Sequence, residues 1–80
     1  MLNVKLFAQA RQLAGRPNVQ IPWRDGDTVS QLRQRLAELH PCLLSLNSRL
    51  LVAVNNDYAR DEDRIRTSDE VACFPPVSGG

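Results

Sequence analysis

Chemistry in this chain is concentrated at one end, where Phe74-Pro75-Pro76-Val77-Ser78-Gly79-Gly80 closes the sequence. Two prolines fix φ and withdraw two backbone donors, so the segment is expected to leave the body as a stiff, extended arm. Gly79 and Gly80 then put the α-carboxylate of Gly80 at a tip with no side chain to block a narrow channel. At about 3.3–3.6 Å per extended residue, Pro75 to Gly80 spans roughly 20 Å, enough to enter another protein's active site while the folded body stays outside.

A carboxylate at neutral pH is a poor electrophile, and ATP-dependent adenylation is the chemistry that activates it. The chain offers no means of doing this itself. It has no Ser/His/Asp set, no cysteine with an obvious activating base and no glycine-rich phosphate loop. It is therefore expected to be the substrate of a separate activating enzyme. Once an acyl-adenylate exists, a sulfur donor can displace AMP and leave a C-terminal thiocarboxylate, a strong nucleophile.

The other reactive side chains point elsewhere. Cys42 and Cys73 are far apart, with no CxxC pair and no histidine at ligand spacing, so neither a metal site nor a redox motif is expected. Both read as reduced, buried or half-buried apolar residues. His40, before Pro41, reads as a surface or capping residue. Lys5 is the only lysine among ten basic residues. That reflects either compositional bias or the advantage of few amines in a chain whose activated terminus an amine could attack.

Eighty residues make one small domain. No apolar run approaches the roughly 18 residues that cross a bilayer, so no membrane partner is expected. A net charge of +1 gives no case for nucleic acid. Met1 to Lys5 lacks the pattern of a secretory signal, which sets a cytoplasmic location as the expectation.

The elements that must position the arm follow from periodicity. Leu2 to Ala8 alternates as a first strand, with Leu2, Val4 and Leu6 on one face and Asn3, Lys5 and Phe7 on the other. Phe7 fits either a small cluster beneath a loop or an exposed docking contact. Gln9 to Ala14 reads as one or two helical turns capped by Gly15. Val19, Ile21 and Trp23 alternate through a second strand, placed at a sheet edge by Pro22.

After the turn Arg24 to Asp27, Thr28 and Gln31 form a capping box for an amphipathic helix through Val29, Leu32, Leu36 and Leu39. Arg33, Gln34, Arg35 and Glu38 fall on its wet side, and His40-Pro41 stops it. Cys42 to Leu50 is irregular, with Leu43, Leu44 and Leu46 packed beneath the domain. Leu50 to Val54 is a third strand, Asn55-Asn56 a tight turn and Asp57 to Ala59 a short return. Arg60 to Arg66 reads as a solvated connection around a buried Ile65, Thr67 to Glu70 as a turn, and Val71 to Phe74 as the last strand.

One helix against four or five strands gives an α+β fold of the β-grasp, ubiquitin-like type. Its mixed sheet has the first and last strands paired in parallel at the centre. The division expected is a β-grasp domain over 1–74 and an extended Gly-Gly tail over 75–80. The uncovered sheet face, with Phe7, Tyr58 or Phe74 showing, would suit a partner protein.

The whole chain resembles the small subunits of molybdopterin synthase, the sulfur carriers of molybdenum-cofactor biosynthesis. The resemblance is carried by Leu6-Phe7-Ala8 with Arg11, Thr28-Val29, Val52-Ala53-Val54-Asn55, and Asp69-Glu70-Val71-Ala72 leading into Phe74 to Gly80. The chain departs from that pattern at Thr67-Ser68, where Asp-Gly is frequent, and at Cys73, where phenylalanine is usual.

The resemblance implies that Gly80 is adenylated by an E1-like adenylyltransferase at the expense of ATP and thiocarboxylated from a sulfur donor protein. The tail then enters the large synthase subunit and gives its sulfur to cyclic pyranopterin monophosphate, within a heterotetramer of two small and two large subunits. By position, Gly80 is the reactive group and Gly79 a slim spacer. Phe74, Pro75, Pro76, Val77 and Ser78 are the gripped segment, and Phe7 and Arg11 are interface residues. No cofactor or metal is expected on the chain, which would be the sulfur-donating subunit of a sulfurtransferase and not catalytic alone. A sulfur carrier of thiazole synthesis shares the fold and Gly-Gly end but is shorter and lacks Phe-Pro-Pro-Val. A ubiquitin-like modifier would conjugate its end to lysines.

Overall fold

Alternation along the sequence buries Leu2, Val4 and Leu6 and exposes Asn3 and Lys5, making strand β1 (Leu2–Leu6) in the computed structural model, which describes residues 1–43 and 50–76. Helix α1 (Ala8–Ala14) follows at once and ends on Gly15, whose φ of 72° is left-handed and whose N–H donates to Arg11 O at 2.9 Å. Strand β2 (Asn18–Ile21) stops at Pro22. Trp23, expected within this strand, lies beyond it because proline cannot continue the ladder.

Strand β3 (Asp27–Thr28) leads into helix α2 (Val29–Leu39). Thr28 and Gln31 close the capping box: the Gln31 N–H donates to Thr28 Oγ1 at 3.4 Å, and the Thr28 N–H donates to Gln31 Oε1 at 2.7 Å. Val29, Leu32 and Leu36 are buried as their spacing predicts. Leu39, in the last turn, is 50% exposed instead. A short 3₁₀ turn spans 41–43, with Leu43 buried. Leu44 and Leu46 lie outside the described residues.

Strand β4 (Leu51–Val54) turns through Asn55 (φ 53°) and Asn56 (φ 72°) into β5 (Asp57–Tyr58), the left-handed pair that a two-residue hairpin requires. Strand β6 (Arg64–Ile65) and β7 (Val71–Phe74) complete the chain. Five strands form one sheet in the order β2-β1-β7-β4-β5, and β3 pairs with β6 in a separate two-stranded ladder. β1 and β7 are parallel, with Leu6 opposite Cys73, and the remaining pairs are antiparallel. This is the expected β-grasp arrangement, with β2 on an edge.

The core lies between the sheet and α2. Fully burying such aliphatic side chains contributes about 1.5–3 kcal/mol each. No polar or charged residue is buried in that core among the described residues.

Two further expectations need correction. Arg60 to Arg66 is not merely a solvated connection: β6 pairs with β3, and the carbonyls of Asp63 and Asp61 accept from the Val29 and Ser30 N–H groups at 3.0 Å. Those are donors at the start of α2 that no helical turn can satisfy, so the loop completes the cap. Arg35 likewise is not a solvated charge. Its guanidinium carbon stands 4.9 Å from the Trp23 ring centroid, and Nη1 donates to Asp27 Oδ2 at 2.7 Å. The Trp23 indole in turn donates to Ile65 O at 2.9 Å, so one cluster ties β3, α2 and β6 together.

Candidate functional site

The face of the sheet turned away from α2 carries every second residue of the central strands. Lys5 lies opposite Ala72, Ala72 opposite Ala53 and Ala53 opposite Tyr58, a row across four strands. The two alanines make a low floor. The ladder continues one residue past β1, because the Phe7 N–H donates to Cys73 O at 3.1 Å and so brings Phe7 beside Phe74. Ala8 then takes φ 54°, a left-handed turn that costs an alanine on the order of 1–2 kcal/mol and swings the chain sharply into α1.

Phe7, Tyr58, Phe74 and Asn56 rim the alanine floor and enclose a shallow depression of about 310 Å³. The Tyr58 and Phe74 ring centroids are 6.0 Å apart with planes tilted by 54°, a favoured aromatic pairing. Phe7 is 47% and Tyr58 74% exposed. Aromatic side chains left in water around an apolar floor, with no helix above them among the described residues, have the composition of a protein-binding patch. Phe7, read from the sequence either as loop packing or as a docking contact, stands in this patch.

The tail begins at its edge. Phe74 is the last residue of β7, Pro75 is half-buried, and Pro76 is exposed and in no strand. Val77, Ser78, Gly79 and Gly80 lie outside the described residues. Arg11 is not brought to the rim: it lines a separate polar concavity with Gln12, Arg16 and Pro17, linked to Phe7 only through its backbone N–H, which donates to Phe7 O at 3.4 Å.

Other groups on or near this face were not assigned from the sequence. Ala53, Ala72 and Asn56 form part of the depression, and Lys5 Nζ donates to Glu70 Oε1 at 2.6 Å. That bond holds the Glu70 carboxyl below the usual carboxylate range. The signal that could have found the alanines is strand parity, since Ala53 follows buried Val52 in β4 and Ala72 stands between buried Val71 and Cys73 in β7.

The remaining reactive groups supply no second centre. Cys73 is buried on the helix-facing side of the sheet, and desolvation pushes its thiol up to about 12. Cys42, expected to be at least half-buried, is exposed. His40 caps α2, its backbone N–H donating to Leu36 O at 2.8 Å. Among the described residues there is no cluster of three or more His, Cys, Asp or Glu that could hold a metal ion, and no helix long and apolar enough to cross a membrane.

With this geometry in place, comparison with known proteins is specific. A model of the ThiS family matches residues 4–80. The molybdopterin synthase sulfur carrier subunit of Haemophilus influenzae is 39% identical, with all of both chains aligned. That of Arabidopsis thaliana is 34% identical over 99% of this chain and 82% of its own. In three dimensions, the crystal structure of SAMP1 from Haloferax volcanii superposes with a TM-score of 0.83 at 32% identity, covering 99% of this chain and 98% of that one.

Proposed function

The chain belongs to the ThiS family, among the molybdopterin synthase sulfur carrier subunits, and from that premise we propose that it carries sulfur on the carboxyl group of Gly80. The observation that carries this reading is the full-length similarity to sulfur carrier subunits, which covers this chain through Gly79-Gly80. The exposed aromatic patch beside the start of the tail supports it, since a carrier must dock its body while its end works elsewhere.

In the proposed cycle a separate E1-like enzyme joins the Gly80 carboxylate to the α-phosphate of ATP and releases pyrophosphate. Hydrosulfide-level sulfur released by a sulfur donor protein attacks the acyl carbon, the C–O bond to AMP breaks, AMP leaves with the electron pair, and a thiocarboxylate remains. The body (1–74) then docks on the large subunit of molybdopterin synthase through Phe7, Tyr58 and Phe74. The tail (75–80) extends into that subunit's site, gripped along Phe74 to Ser78. The thiocarboxylate sulfur attacks a carbon of cyclic pyranopterin monophosphate as an oxygen substituent leaves. Water then cleaves the acyl C–S bond, which leaves the sulfur on the pterin and restores the Gly80 carboxylate. The chain contributes the reagent, and its partner contributes the catalytic groups. A cytoplasmic setting and an assembly of two small and two large subunits belong to the same reading.

Deleting Gly80, or adding any residue after it, is expected to abolish sulfur transfer in a reconstituted synthase assay while leaving the circular dichroism spectrum unchanged. Gly79→Val should slow adenylation by steric exclusion. Retained transfer by the Gly80 deletion would overturn the proposal. A second reading, as a protein modifier, is favoured by the close superposition on SAMP1, a small archaeal modifier protein. Intact mass spectrometry of the cellular protein separates the two: sulfur in place of one oxygen supports the carrier, and lysine-linked adducts alone support the modifier.

A further inference from the structure

We propose that the Lys5–Glu70 ion pair restrains the chain's only side-chain amine from capturing an activated C-terminus, and that Lys5 is where such capture occurs once the pair is broken. The inference rests on the carrier reading for the existence of an activated terminus. Every other basic side chain is arginine, whose guanidinium stays protonated and does not attack acyl groups at neutral pH. A lysine amine does so whenever it is free and deprotonated.

Lys5 also lies within the covalent reach of that terminus. It lies opposite Ala72 on the uncovered face, two residues before β7 ends at Phe74. With strands about 4.8 Å apart and a rise of about 3.3 Å per residue, the Lys5 backbone is roughly 8 Å from where the tail departs. The covalent reach of Pro75 to Gly80 is roughly 20 Å. The Lys5 side chain is 46% exposed, so access is not blocked by burial.

What holds it is Glu70, whose Oε1 accepts from Nζ at 2.6 Å. Glu70 is itself fixed in place: its N–H donates to Asn55 Oδ1 at 2.9 Å, and its carbonyl accepts from the Asn55 N–H at 2.7 Å. The carboxylate is therefore presented to Lys5 by a clamped backbone, and changing the side chain leaves the clamp intact.

The reaction held back is acyl transfer. The Lys5 nitrogen lone pair attacks the acyl carbon of the Gly80 adenylate and a C–N bond forms. The C–O bond to AMP breaks, AMP leaves with the electron pair, and the amine proton passes to solvent. ATP, spent by the activating enzyme, is the sole co-reactant. The product is an isopeptide between Lys5 and Gly80, within one chain or between two copies, and it destroys the carrier end.

The test treats the full-length chain with sulfosuccinimidyl acetate and follows Lys5 acetylation by mass spectrometry, with the N-terminal amine as internal reference. An exposed pair of this kind should give a rise of about two- to fivefold in the Lys5 rate for Glu70→Gln. An unchanged ratio overturns the restraint. In a second arm the full chain is prepared as a C-terminal thioester. The Lys5–Gly80 linkage should accumulate faster in Glu70→Gln than in the parent and be absent from Lys5→Arg, with the intact mass separating cyclised monomer from dimer. Equal accumulation, or no linkage in any variant, overturns the proposal. Neither arm uses an activating enzyme, so failure here is distinct from failure to find sulfur on Gly80.

Discussion

Cys73 and Cys42 show how one residue type takes opposite roles by placement alone. Burial against the core pushes the Cys73 thiol up to about 12, whereas Cys42 follows α2 on the surface. Iodoacetamide at about pH 8 is therefore expected to alkylate the folded protein once, at Cys42, with a second adduct only in denaturant. Rapid double alkylation of the folded chain would contradict the structure. Cys73 was legible in the sequence because it alternates with Val71, and strand parity reports burial. Cys42 was not, because it follows Pro41 outside any periodic segment and nothing local separates an exposed thiol from a buried one. The same limit applied to Phe7, whose parity placed it on the far face but could not show whether anything covered it.

Among the elements, the β4–β5 hairpin does more than reverse the chain. The Asn55 side chain accepts from the Glu70 N–H and donates through Nδ2 to Asp69 Oδ1 at 3.1 Å, fastening the hairpin to the turn before β7. Asn55→Ala should cost about 2 kcal/mol in urea unfolding, combining left-handed strain with the lost hydrogen bonds. Asn55→Gly keeps the backbone conformation and should cost about half as much. Equal losses would show that strain contributes nothing. The Asn-Asn pair announced this turn, as Thr28 and Gln31 announced α2, since both signals are local. The pairing of β6 with β3 and the Trp23–Arg35–Asp27 cluster escaped detection for the converse reason. They join segments distant in sequence, and two-residue strands carry no period to read.

Across the whole molecule, three carboxylates join elements and sit below their ordinary range. Asp27 is lowered chiefly by its hydrogen bond from Arg35, Asp69 by the Arg66 N–H and Asn55, and Glu70 by Lys5. A folded-state value below the unfolded one gives stability that is complete above the unfolded carboxylate range, about pH 5, and is lost as pH falls through the lower folded values. Melting temperature should accordingly hold steady near neutrality and drop as pH falls below about 5, with a shallower drop in Asp27→Asn. A flat profile would contradict these assignments. The parallel pairing of β1 with β7 also settles how the protein can be handled. Running side by side in the same direction, the two strands send whatever precedes Met1 out at one pole and whatever follows Phe74 out at the other. A bulky purification tag or fluorescent fusion joined ahead of β1 therefore stands roughly one strand length, about 17 Å, from the end of β7, while the same cargo joined behind Gly80 would occupy the carboxyl group proposed to carry sulfur.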